Sequence, residues 1–168
     1  PQTTHTFMQA VVEVQGGGVR TLQLALPEAA GTSLRFQAVG SQIVEQKPAA
    51  PQNGERLWTL QFDRRVRGQI LLTCDIELPR GDAADPKAVA ASFAVPQPRF
   101  VEAERQNGFL AVEAGGEQRL TMEAKGSDGA ALVEVDPLDL PAVYYSPKER
   151  IVAVYRTVSA GASLTLSE

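Results

Sequence analysis

The chain is short of the residues from which most active centres and bilayer spans are assembled. Its 168 residues include one cysteine, Cys74, and one histidine, His5. A lone cysteine excludes an intrachain disulfide. One Cys and one His far apart in sequence leave little from which to build Cys/His catalysis or a thiolate–imidazole zinc site. No apolar run approaches the roughly 18 residues that cross a bilayer as a helix, and no secretory leader is visible. The chain opens on Pro1 rather than Met, which predicts a segment of a processed or longer protein. Lysine and arginine number 16 against 20 aspartates and glutamates, a net charge of −4. Nucleic acid is a polyanion gripped by a broad basic surface, so it is a poor partner here. The densest basic stretch, Arg64, Arg65 and Arg67, lies beside a predicted turn and reads as solvated. GxSxG, HExxH and CxxC motifs are absent. Gly16-Gly17-Gly18 lacks the helix and lysine of a phosphate loop and reads as a hairpin turn.

What the chain does have is alternation. RTLQLAL (20–26), ILLTCDIEL (70–78) and FLAVEA (109–114) interleave apolar and other residues at a period of two. Side chains on a strand point alternately to its two faces, so each run has an inner and an outer side. On this reading Met8, Ala10, Val12 and Val14 share a face, as do Leu22, Leu24 and Leu26. Trp58 aligns with Leu60 and Phe62, and Cys74 aligns with Ile70, Leu72, Ile76 and Leu78. Turns are predicted at Gly16–Gly18, Gly40–Ser41 and Asp63–Arg65, and a surface loop over 47–55. Asn107-Gly108 predicts a type I′ hairpin joining a strand over 99–106 to one over 109–114. With strands over 118–124 and 131–135 these two make a four-stranded meander, followed by one helical turn near Asp136–Pro141. No segment shows the 3.6-residue period of an amphipathic helix.

The fold class is therefore all-β, an antiparallel β-sandwich. The chain forms two sandwich-like units, over 1–79 and 89–168 with a polar linker at 80–88, or one continuous larger sandwich.

Three constellations bear on chemistry. Asp128, Asp136 and Asp139 offer oxygen ligands for calcium, but their spacing departs from the EF-hand loop, and Asp at turns bonds local N–H groups. Arg80-Gly81-Asp82 spells an integrin-binding tripeptide inside the linker. Aromatic rings stack on sugars. Tyr144 and Tyr145 are adjacent, so one of them faces outward on a strand, and with Trp58 they are the candidate ligand-binding residues. No catalytic set, metal set or cofactor is read from the sequence.

Two stretches carry a resemblance. LQLALP (22–27) followed by GTSLRFQAVGSQIVEQKP (31–48), and ERQNGFLAV (104–112), resemble strand-and-loop patterns of large uncharacterised bacterial envelope or surface proteins. They cover about a third of the chain. The resemblance implies an interior β-sandwich segment of a longer extracytoplasmic protein, in periplasm or at the cell surface, and carries across no catalytic residue. The expected function is a non-catalytic structural or interaction module. Its partners would be other domains of the same protein, a protein partner or a glycan. The alternatives are a carbohydrate-binding module and a hydrolase with scattered carboxylates.

Overall fold

The computed structural model describes residues 3–79, 93–116, 119–125, 132–141, 147–158 and 163–167. The protein is all-β. Its strands are β1 (Thr3–Pro27), β2 (Phe36–Val39), β3 (Ile43–Pro48), β4 (Glu55–Pro79), β5 (Phe93–Ala94), β6 (Arg99–Phe100), β7 (Gly108–Ala114), β8 (Thr121–Lys125), β9 (Leu132–Val135), β10 (Arg150–Thr157) and β11 (Ser163–Ser167). The chain divides into two compact units, residues 1–82 with 96–103 and residues 83–95 with 104–168.

In the first unit β1 and β4 are each 25 residues long and pair antiparallel from Thr3↔Pro79 to Pro27↔Glu55. Laid straight, such a strand would reach about 80 Å at the usual rise per residue. It bends instead. The ladder is interrupted between Val14 and Thr21. On the other side of β4, β2 pairs with 71–74 and β3 with 58–62, so together they track β4 as one interrupted strand. All three paths are interrupted at one crease, and each carries glycine with positive φ there: Gly16 (72°) and Gly18 (79°), Gly40 (101°), and Gly68 (74°). Glycine adopts that region without a Cβ clash, which makes it the residue of strand corners.

The crease lets the inner face close on itself. Leu24, Leu26, Trp58 and Leu60 from one half form a single buried cluster with Met8, Phe36, Leu72, Cys74 and Ile76 from the other. Phe36 meets Trp58 edge-to-face, with ring centroids 5.2 Å apart. Phe62, Val66 and Ile70 fill the inside of the bend.

The crease corrects three sequence expectations. Gly16–Gly18, Gly40–Ser41 and Asp63–Arg65 do not reverse the chain, because the apolar alternation resumes on the same partner strand beyond each of them. The Asn-Gly hairpin is also relocated. Asn53 (φ 52°) and Gly54 (φ 78°) make the two-residue turn, closed by Gln52 N–H to Glu55 O (2.8 Å) and Glu55 N–H to Gln52 O (3.0 Å). Asn107 and Gly108 have no positive φ. Arg99 and Phe100 pair instead with Ala25 and Leu24 of β1, and β7 pairs with β10.

The second unit is built from two three-stranded sheets, β7-β10-β9 and β5-β11-β8. β7 and β9 lie in one sheet and β8 in the other, so the expected meander is not formed; β9 and β10 do pair as neighbours. Val112, Ala153 and Tyr155 from one sheet pack with Leu164 and Leu166 from the other. The Tyr155 hydroxyl lies 3.8 Å from Met122 Sδ across this core. A 3-10 turn spans Pro137–Asp139.

Candidate functional site

The feature that stands out in the first unit is its outer face. On β1 the outward positions are Phe7, Gln9, Val11 and Glu13, and on β4 they are Leu71, Thr73, Asp75 and Glu77. On β2 they are Gln37 and Val39. The register aligns Val11 with Leu71, and Leu71 with Val39. Three aliphatic side chains therefore lie in one row across three strands. Val11 is 55% exposed and Val39 61%, with Leu71 half-buried between them. The next row toward β4's end is polar, Gln9–Thr73–Gln37. Beyond it, Phe7 borders a shallow groove of about 490 Å³ shared with Leu34, Arg35, Asp75 and Glu77. His5 Nδ1 and Glu77 Oε1 lie 3.6 Å apart at its rim.

The sequence signal for this row is present though easily overlooked. Val11-Val12, Ala38-Val39 and Leu71-Leu72 are apolar doublets. On an alternating strand one member of a doublet must face away from the core. Val12, Ala38 and Leu72 face in, leaving Val11, Val39 and Leu71 outside.

The two edges of this sheet differ. On the β2–β3 side the Gln46 amide acts as a strand substitute. Its Nε2 donates to Leu34 O (2.9 Å), and its Oε1 accepts from Phe36 N–H (3.1 Å). β3 adds Glu45, Lys47 and Pro48, devices that discourage further pairing. On the β1 side, β6 covers Leu24 and Ala25, and Val101 N–H bonds Gln23 O (3.1 Å). From Met8 to Val14, β1 pairs with β4 alone among the described residues.

The arginines serve the crease. Arg20 donates to Asp63 O (3.5 Å), Arg64 to Gly40 O (3.2 Å) and Arg65 to Gly18 O (3.3 Å), supplying partners to carbonyls where the ladder is broken. Asp63 binds across the same bend, accepting from Ser41 Oγ (3.0 Å) and Gln42 N–H (3.4 Å). The Ser41 hydrogen bond and those from Gln42 and Arg64 N–H, aided by the Arg64 charge, hold its carboxyl below the ordinary 3.8.

The other candidate residues are placed as follows. Trp58 is 1% exposed and enclosed in the core, and its Nε1–H has no acceptor among the described residues. An indole so enclosed has no face open to a sugar ring. Tyr144 and Tyr145 lie outside the described residues, as do Asp128 and Arg80-Gly81-Asp82. Asp136 caps the 3-10 turn, accepting from Leu138 N–H (2.9 Å). Glu113 accepts from the N–H groups of Lys148 and Glu149, each at 3.0 Å. Glu55 and Arg99 form a fork-like ion pair, at 2.6 and 3.5 Å. Burial and the charge of Asp75 push the Cys74 thiol up to about 11, which leaves it inert as a nucleophile near neutrality. No group of three His, Cys, Asp or Glu side chains gathers as a metal site among the described residues. No helix of the described chain is long and apolar enough to cross a membrane.

Comparison with protein-family models, curated proteins and solved structures finds no match to this chain.

Proposed function

We propose that the chain is a non-catalytic interaction module of a larger bacterial extracytoplasmic protein. It presents the outer face of its first unit to a protein partner or to other domains of the same protein. The observation that carries this reading is the Val11–Leu71–Val39 row, with the exposed ring of Phe7 on the same face beyond the polar Gln9–Thr73–Gln37 row. Scattered apolar side chains are normal on a surface, but a contiguous row with a polar border is the kind of patch that marks an interface. The described carboxylates and arginines support the same reading, because the bonds they make go to backbone groups at turns and the crease, to the Ser41 hydroxyl, or to one another as ion pairs.

The test is made on the protein in its source cells, with an antibody raised against this chain. The expected result is an envelope or periplasmic polypeptide well above 18.0 kDa. Within that polypeptide, amide exchange at 37–39 and 71 is slower than in the isolated chain. A cytosolic species of 18.0 kDa, or exchange unchanged between the two contexts, overturns the reading.

A further inference from the structure

We propose that the Met8–Val14 edge of β1 pairs antiparallel with the same edge of a second copy of this chain, about a two-fold axis beside Val11. This deepens the interaction reading above by naming a partner.

Four observations converge on it. First, among the described residues this edge from Met8 to Val14 lacks the protection that the opposite edge carries. Met8–Val14 reads MQAVVEV, with no proline, glycine, lysine or arginine, and its ladder with β4 runs unbroken from Thr3 to Val14. An edge strand of that length and composition is a template for strand addition. The β2–β3 edge is blunted by the Gln46 amide, Lys47 and Pro48.

Second, the segment is complementary to itself. A two-fold axis beside Val11 sets Val11 against the partner's Val11 on the outer face. It sets Gln9 against the partner's Glu13, and Glu13 against the partner's Gln9. The amide of Gln9 can donate to the carboxylate of Glu13, and no like charges meet. An axis two residues later would oppose Glu13 to the partner's Glu13, which is unfavourable. Gln9 Oε1 is buried with no hydrogen-bond partner among the described residues, and Glu13 is exposed.

Third, the inner face at this edge is apolar yet incompletely covered. Ala10, Val12 and Val14 are half-buried, whereas Leu72 and Ile70 opposite them are fully buried. In the paired state Ala10 faces the partner's Val12, and Met8 faces the partner's Val14. Each pair extends the core across the junction.

Fourth, the outer row becomes continuous. Val39, Leu71 and Val11 run on into the partner's Val11, Leu71 and Val39. Six aliphatic side chains then form one stripe over two molecules.

An interface of one short strand per copy is small, so the dimer is weak and concentration-dependent. Sedimentation of the whole chain over a wide concentration range tests it, together with cysteine trapping. Opposed residues of an antiparallel pair have Cα atoms about 4.5–5.5 Å apart, inside disulfide range. V11C is therefore expected to cross-link rapidly to a covalent dimer under mild oxidation. E13C alone does not cross-link, whereas a mixture of Q9C and E13C chains does. Cys74 is buried and does not compete. V11K places two like charges at the axis and should weaken the dimer about tenfold or more, with an unchanged circular dichroism spectrum. A chain that stays monomeric up to its solubility limit overturns the proposal. So does a dimer trapped by V39C and not by V11C, which would mean that the faces meet and the edges do not. A heavy envelope protein whose chain fails both edge tests would remove the paired edge and leave the interaction reading standing.

Discussion

The two units solve the same problem, covering an apolar face, with opposite strand economies. In the first, two 25-residue strands fold across a glycine crease, so each strand supplies both layers of the core. In the second, strands of two to eight residues are divided between two separate sheets, so each strand supplies one layer. The first unit buries Trp58, Phe36 and Phe62, whereas Tyr155 is, among the described residues, the one aromatic in the buried cluster of the second. A long strand whose halves must meet needs a corner, and a corner needs residues that tolerate positive φ and partners for the carbonyls it frees. Gly18, Gly40 and Gly68 meet the first need, and Arg20, Arg64 and Arg65 address the second. Short strands that end at loops have no such requirement.

The comparison is broken most severely by emptying one core and leaving the other. L72A and L164A each remove a side chain with no exposure, and each should cost about 2–5 kcal/mol in denaturant unfolding. If the units unfold separately, amide exchange quickens in β1 and β4 for L72A and in β8 and β11 for L164A. Uniform quickening by either substitution would show one cooperative block. In the same core W58A should cost about 3–5 kcal/mol. W58F should cost about 1 kcal/mol or less, because it deletes an N–H that lacks an acceptor.

Crease glycines give the next effect, graded by geometry. A Cβ on Gly18 would meet Val66 O at 2.7 Å and Arg67 Cγ at 2.8 Å with φ at +79°, so G18A should cost about 1–3 kcal/mol. Gly68 has positive φ but open space, and G68A should cost about 1–2 kcal/mol from backbone alone. Gly17 has neither obstacle, and G17A should be neutral or stabilising by up to about 1 kcal/mol. Equal costs for the three would mean that the crease is not set by these dihedrals.

Alkaline pH probes the first core by a gentler route. The Cys74 thiol is raised from 9.0 to about 11 in the fold. Above pH 9 the unfolded chain gives up its proton while the native chain keeps it, so stability is full below pH 9 and falls toward pH 11. C74A should flatten that slope, read from urea midpoints across the range. The smallest effect is at Asp63, whose carboxyl is held low by Ser41. Its contribution is present above pH 3.8 and is lost as pH falls through the lowered value, and D63N should remove that acid dependence. Because Asp63 is exposed, a detectable change is expected in local exchange at Ser41 and Gln42 more than in the global midpoint.

Much of the core was legible as alternation. The faces holding Leu24 with Leu26, Trp58 with Leu60 and Phe62, and Ile70 through Leu78 follow directly from a period of two. They are the buried faces of β1 and β4. What each glycine does was not legible. Gly-Gly-Gly within an alternating run fits a hairpin turn or a strand corner equally well, since both need positive φ and differ only in which strand is met afterwards. The two Asn-Gly pairs make the same point. Asn53-Gly54 turns because β3 pairs back on β4, with Gln52 opposite Glu55 and Pro48 opposite Trp58, and Asn107-Gly108 does not because Phe100 has already paired with Leu24.

The outer row divides in the same way. Alternation is a property of the single strand, so one valine of Val11-Val12, one leucine of Leu71-Leu72 and one residue of Ala38-Val39 had to face away from a core. That the three stand side by side is a consequence of strand pairing. Their alignment is set by the registers β1↔β4 and β2↔β4, which couple residues 60 and 32 positions apart (11 with 71, 39 with 71). Those registers are fixed by long-range pairing and by the depth of the crease, and neither leaves a trace in any local stretch of the chain.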